Sequence, residues 1–137
     1  MTKHQFRVSE AAVLLGVSDD TVRRWADSGR LTLHRGDNGR SVIDGAELAA
    51  VAQAIAQEAT ALPGGARSSA RNRLQGIVTR VAKDTVMAQV DMQAGPFRLV
   101  SLMSREAVDQ LGLEVGSLAI ASVKATTVIV ELPETSA

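Results

Sequence analysis

The chain has no cysteine and no tyrosine, one tryptophan and two phenylalanines. Without thiols there is no disulfide framework and no thiolate metal site, which fits a cytoplasmic protein. With Phe6, Trp25 and Phe97 as the whole aromatic set, a groove of stacking rings for single-stranded nucleic acid is excluded. Charge of one sign is also missing, since 15 Lys+Arg balance 15 Asp+Glu. Any nucleic-acid surface must then be a local cluster rather than a basic tail. No apolar run approaches the roughly 20 residues of a membrane helix. The polar start Met1-Thr2-Lys3-His4-Gln5 is unlike a signal peptide. No Ser/His/Asp set, P-loop or Rossmann glycine pattern occurs, so a binding protein is expected and not an enzyme.

What is present is Val, Leu, Ile and Ala, spread over 137 residues. The length suits one ordinary domain or two very small ones. Two units of about 60 residues each would be marginal alone, so self-association is expected.

In the first half, Ser9 precedes Glu10-Ala-Ala-Val-Leu-Leu as an N-cap, and Gly16 ends that helix. Ser18 caps a second helix, Asp19 to Ala26, with two aspartates in the first turn where the helix dipole favours them. Ala12, Gly16, Val22 and Trp25 fall at helix-turn-helix offsets, and Gly29 stops the second helix. Leu31 to His34 and Ser41 to Ile43 flank Arg35-Gly-Asp-Asn-Gly-Arg40, which reads as a β-hairpin wing. Asp44 then caps an alanine-rich helix from Gly45 to about Ala59, with Leu48, Val51 and Ile55 on one face.

Arg23, Arg24, Arg30, Arg35 and Arg40 concentrate on the second helix and the wing. A basic recognition helix beside a basic wing is the footprint of phosphate and groove contact. Thr21, Arg23 and Arg24 avoid the Val22/Trp25 face and are the candidate groove residues; Arg35 and Arg40 are the candidate wing contacts. Arg30 could be a solvated residue, His34 a plain wing residue and His4 part of a mobile terminus. The segment S-x-x-T-V-R-R-W-x-x-x-G-R-L resembles the winged helix-turn-helix of MerR-like and excisionase-like modules. That resemblance implies double-stranded DNA as partner.

Pro63, Gly64 and Gly65 break the helical pattern, so residues 61–68 are expected to be a linker between domains at 1–60 and 69–133. Beyond it, alternation predicts strands at Leu74–Val81, Thr85–Met92, Phe97–Leu102, Ser117–Val123 and Thr127–Leu132. Ser104 is placed to cap a short helix from Arg105. Five strands with one helix after the third is the plan of an OB-like barrel. The expected class is α+β: a winged helix-turn-helix followed by a five-stranded OB-like β-barrel.

Two stretches carry chemistry in this half. Ser69-Ala70-Arg71-Asn72 offers a hydroxyl, backbone N–H groups and a guanidinium; Lys124-Ala125-Thr126-Thr127 offers an ammonium, hydroxyls and further N–H groups. Such donors, without carboxylate, imidazole or thiol, suit a tetrahedral oxyanion and no metal cation. SARN-x-L-x-G-x-V, S-x-x-S-x-x-x-x-x-x-LGL and KATTV resemble the molybdenum-binding Mop (TOBE) domain from Ser69 to about Leu132. The resemblance implies molybdate or tungstate as ligand, held between subunits of a homodimer or a larger ring such as a hexamer. It assigns Ser69, Arg71, Ser104, Lys124 and Ala125 to the oxyanion, with Ser101 where that family usually has threonine. An OB barrel that binds nucleic acid is the competing reading, but this one has a single aromatic and no basic stripe.

Together the halves are similar in plan to ModE-type molybdate-responsive regulators, with a different DNA-binding module and one Mop domain instead of two. The expected function is a molybdate-responsive, DNA-binding transcriptional regulator in the cytoplasm. The alternatives are a molybdate storage or delivery protein whose first half mediates protein contacts, and a DNA-binding protein whose barrel takes no ligand.

Overall fold

The computed structural model describes residues 4–58 and 68–134. The chain divides into two compact units, Met1–Thr60 and Ala61–Ala137. Apart from Ser68, the expected linker lies outside the described residues.

The first unit opens with a strand that periodicity does not announce, β1 (Gln5–Arg7), which pairs antiparallel with β3 (Ser41–Asp44). β1 runs straight into α1 (Val8–Leu15), so the helix begins before Ser9 and not after it. The reason is local: Glu10 Oε1 accepts the Arg7 N–H at 2.9 Å, satisfying a donor that the helix start leaves open. Gly16 closes α1 in the left-handed conformation, φ 71°. Ser18 caps α2 (Asp19–Asp27) by accepting the Thr21 N–H at 3.2 Å. β2 is only His34–Arg35, and it joins β3 through a turn closed by Gly36 N–H donating to the Arg40 carbonyl at 2.7 Å. α3 (Gly45–Glu58) starts where the Gly45 N–H donates to the His4 carbonyl at 2.8 Å. His4 thus has a backbone anchor, contrary to the expectation of a loose end.

The core of this unit comes from the three helices, β3 and the loop before β2: Val8, Ala11 and Ala12 of α1, Val22 of α2, Leu31, Ile43 of β3, and Leu48 with Val51 of α3. Trp25 and Ile55 pack against it half-buried. Burial of a side chain such as Leu31 or Ile43 stabilises by about 1.5–3 kcal/mol.

The second unit is a four-stranded antiparallel sheet in the order β6-β5-β4-β7. β4 (Asn72–Lys83) is 12 residues long and serves two neighbours. Its first half pairs with β7 (Leu118–Val123), Asn72 opposite Val123, and its second half with β5 (Met87–Ala94). The register shifts between Val78 and Arg80, and a bulge there lets the strand bend from one partner to the other. β5 begins at Met87 and not at Thr85, because Asp84 Oδ1 takes the N–H groups of Val86 and Met87 into a turn. β6 (Phe97–Ser104) leads into α4 (Arg105–Leu111), which Ser104 caps through the Ala107 N–H at 3.1 Å. α4 drops Val108 onto Val78, Ala88 and Val90 to form a small core.

The α+β class and the curled antiparallel sheet stand as expected, and one expected strand of this unit is missing. After β7 the chain makes a single 3-10 turn, Ala125–Thr127, and the fifth strand does not form. Ile129, Val130 and Leu132 are 81–91% exposed. Alternation gives that segment a strand-like sequence, but within its own chain it has no ladder partner. Among the described residues, no helix is long and apolar enough to cross a membrane.

Candidate nucleic-acid and oxyanion sites

In the first unit, α2 buries Val22 completely, which turns Arg23 and Arg24 to solvent. The two arginines are not equivalent. Arg24 Nη2 donates to Thr21 Oγ1 at 3.2 Å, and that hydroxyl is also 2.9 Å from Ser18 Oγ. Thr21 is therefore half-buried and already occupied, a support for Arg24 as much as a free contact. Arg35 and Arg40 are both exposed on the wing, one at each end of its turn. Arg40 donates its backbone N–H to Asn38 Oδ1 at 3.1 Å, which shapes the turn and leaves the guanidinium outward.

Arg30 does something the sequence reading leaves open. Its guanidinium carbon stands 4.9 Å from the Trp25 ring centroid, and its Nη2 reaches Glu58 Oε1 at 2.7 Å. It is a structural tie between α2 and α3. Glu47, which no motif marks, holds the entry to the wing: Oε1 accepts the Thr32 N–H at 2.6 Å, and Oε2 lies 4.0 Å from His34 Nε2. Neither contact was legible, because both depend on where α3 packs.

In the second unit, Ser69 and Arg71 precede β4, and Lys124 and Ala125 follow β7. Asn72 Nδ2 donates to the Val123 carbonyl at 3.2 Å, across 51 residues of chain, in addition to their ladder pairing. The two donor stretches therefore leave the sheet side by side. Ser69, Arg71, Lys124 and Ala125 are all exposed there. The Ala70 N–H is partly committed, donating to Ser68 Oγ at 3.0 Å.

The remaining two residues are placed differently. Ser101 lies on β6 opposite Val90, and lines a cavity that Ser122 and Val123 also line. Ser104 lies opposite Met87, beside the Lys83–Ala88 pair at the far end of β4 from Asn72. At about 3.3 Å per residue that is on the order of 35 Å of strand contour. One chain thus brings Ser69, Arg71, Lys124 and Ala125 together and keeps Ser104 at the other end. Ser104 is also engaged as the α4 cap.

The three aspartates of this unit are committed elsewhere. Asp91 accepts from Gln89 Nε2 at 2.9 Å and Arg98 Nη2 at 2.7 Å, contacts that hold its carboxyl below the usual carboxylate range. Backbone N–H groups of Met87 and Val86 do the same for Asp84, and Lys83 does so for Asp109 at 2.9 Å. Among the described residues, no group of three His, Cys, Asp or Glu is placed to hold a metal ion.

Residues 68–130 match the TOBE domain family and residues 6–55 a helix-turn-helix domain family. The second half is 38% identical over 63 residues to molybdenum-pterin-binding protein 2 of Clostridium pasteurianum, covering 45% of this chain and 93% of that protein. Molybdenum-pterin-binding protein 3 of the same organism is 36% identical over 63 residues, with the same coverage. Among solved structures, a molybdate binding protein from Sporomusa ovata is 34% identical and covers 49% of this chain and 100% of its own, with a TM-score of 0.47. Both matched families are binding domains and not enzymes. The chain belongs to the TOBE-domain family of molybdenum-pterin-binding proteins, and carries a helix-turn-helix domain ahead of its TOBE domain.

Proposed function

We propose that the chain is a DNA-binding transcriptional regulator that responds to molybdate or tungstate and acts in the cytoplasm as a homo-oligomer. The observation that carries this reading is the Asn72–Val123 junction. It brings the stretches that carry Ser69, Arg71 and Lys124 out at one end of the sheet, and neither stretch contains a carboxylate. Two cationic side chains at one end of a sheet repel each other, and a tetrahedral dianion between them would cancel the repulsion while accepting several N–H and O–H donors. Ser104 would join the donor set from a second copy, since in the same chain it lies at the opposite end of β4, and Ser101 would add a further hydroxyl.

DNA contact falls to the other unit. Arg23 is placed to read base edges in the major groove, Arg24 does so from its support on Thr21, and Arg35 and Arg40 meet phosphates from the wing. Self-association through the TOBE halves brings two recognition helices to one duplex. Half-sites one helical turn apart, about 34–36 Å, then follow if both face one side of the DNA. Ligand at a hundred times its dissociation constant would favour the assembled state by about 2.7 kcal/mol. A changed subunit arrangement would alter the spacing of the recognition helices.

Thermal unfolding with molybdate, sulfate or phosphate tests the anion half of this reading. Molybdate should raise the melting temperature of the wild type well above the other two anions, and do far less for Lys124→Ala. An unmoved melting temperature, or an equal shift in Lys124→Ala, would sink it. A gel shift with and without molybdate tests the regulatory half: operator affinity should change with the ligand present.

A further inference from the structure

An α-helix turns about 100° per residue, so residues four apart share a face. Val22, at 0% exposure, fixes which side of α2 meets the core. Asp20 and Arg24 are both exposed, and each lies about 160° around the axis from Val22. Arg23 flanks them, about 100° from Val22. The outward stripe of α2 therefore opens on a carboxylate, one turn before the arginine that rests on Thr21.

That carboxylate has no partner. Arg24 stands four residues on, the spacing at which an acid and a base on one helix face pair. Its Nη2 donates to Thr21 Oγ1 instead, and among the described residues no hydrogen bond or ion pair engages Asp20. The glutamates of the same unit are all occupied: Glu10 by the Arg7 N–H, Glu47 by the Thr32 N–H and Glu58 by Arg30. The helix dipole favours an acid in the first turn, but Asp19 already supplies one, about 100° around the axis. Asp20 is left with open acceptors beside a guanidinium that keeps most of its five donors.

With α2 in the major groove, that carboxylate faces walls of phosphate and repels the duplex unless a base donates to it. The donors in that groove are the N4 amino group of cytosine and the N6 amino group of adenine. Adenine sets its N7 acceptor beside N6, which repels a carboxylate, whereas cytosine has no acceptor of its own on that edge. We propose that Asp20 is a specificity-determining residue that accepts a hydrogen bond from cytosine N4, beside a guanine read by Arg24. The inference rests on the DNA-binding reading of α2 and deepens it by naming one required base. A carboxylate at this position also weakens binding to every site without that cytosine, so it discriminates by repulsion as well as by contact.

Selection from a randomised duplex library, with the full chain and with molybdate present or absent, tests this. The wild type should return a motif with one required cytosine next to a guanine. Replacing that cytosine by thymine should weaken binding about 5- to 150-fold. Asp20→Ala should lose the preference at that position alone, and bind the thymine site better than the wild type does. Asp20→Asn should return adenine there, since an amide bonds adenine N6 and N7 together. Both variants should keep the wild-type circular dichroism, because Asp20 has no partner to lose. Asp27→Ala removes the same charge from the far end of α2 and should return the wild-type motif. A motif unchanged in both Asp20 variants overturns the proposal, and so does loss of the cytosine in Asp27→Ala. In either case a wild type that selects a motif leaves DNA binding by α2 standing. A wild type that selects no sequence removes both.

Discussion

Gly76 on β4 lies so close to Gln93 on β5 that a methyl group at Gly76 would collide with the Gln93 carbonyl and crowd the Ala94 Cα at 3.1 Å. The obstacle is backbone and cannot rotate away. It sits just before the bulge, where β4 passes from β7 to β5. Gly76→Ala should therefore destabilise the second unit by about 1–3 kcal/mol, the usual cost of overpacking. Urea unfolding followed by the loss of sheet signal checks it, and a midpoint equal to wild type would refute the close approach.

Arginines 23 and 24 should separate from Arg35 in DNA binding. Replacing Arg23 and Arg24 by alanine should abolish specific binding while the fold survives, each bidentate base contact contributing about 1–3 kcal/mol. Arg35→Ala should weaken binding to all sequences alike and reduce the slope of affinity against salt. Thr21→Val removes the hydroxyl under Arg24 and should mimic part of the Arg24→Ala loss. Anisotropy titrations across salt concentrations distinguish the three patterns.

Arg30 should behave differently from its neighbours. Arg30→Ala loses the Trp25 stacking, worth about 0.5–1 kcal/mol at an exposed site. It also loses the Glu58 pair, worth about 0–1 kcal/mol with both partners partly in water. The expected outcome is a lower melting temperature for the first unit, with salt dependence on DNA unchanged. Arg30→Lys should keep the pair but not the flat stacking, and recover only part of the loss.

Acid should loosen the second unit. Asp91, Asp84 and Asp109 are each held below the ordinary carboxylate pKa by hydrogen bonds to the charged form. A depressed folded pKa contributes stability that is full above the unfolded value and lost as pH falls through the folded one. Unfolding midpoints should therefore be flat near neutrality and drop as pH falls below about 4. Asp91→Asn, which cannot titrate, should show a shallower drop, measured by chemical unfolding between pH 2 and pH 6.

Local signals were legible in the sequence where one residue acts on its near neighbours. Ser18 and Ser104 cap the helices they were expected to cap, and Gly16 ends α1, because each needs only a few residues of context. Gln5-Phe6-Arg7 gave no such signal: three residues show no period, and β1 exists because β3 offers it a ladder. Ser9 was passed over as a cap for the same reason, the strand running directly into the helix. Val128 to Leu132 erred in the other direction. Its alternation is strand-like, but alternation states which faces a segment wants and does not supply a ladder partner. In the candidate oxyanion site, the donor types could be read from Ser69–Asn72 and Lys124–Thr127, whereas the separation of Ser104 follows from the direction of β6 and needed the topology.

The pairing of Asn72 with Val123 also bears on how the chain is made. α1, α2 and α3 are all complete before residue 60, and their contacts span short lengths of chain. That unit can fold while the rest is still being synthesised. β4, by contrast, emerges from the ribosome half a unit ahead of β7, and its first six residues lack their β7 partners until Leu118 to Val123 have been added. Closing a loop of that length is slow relative to helix formation. Through that interval the nascent chain displays an unmatched strand beside a finished DNA-binding head, and neighbouring chains on one message would meet as partly built molecules.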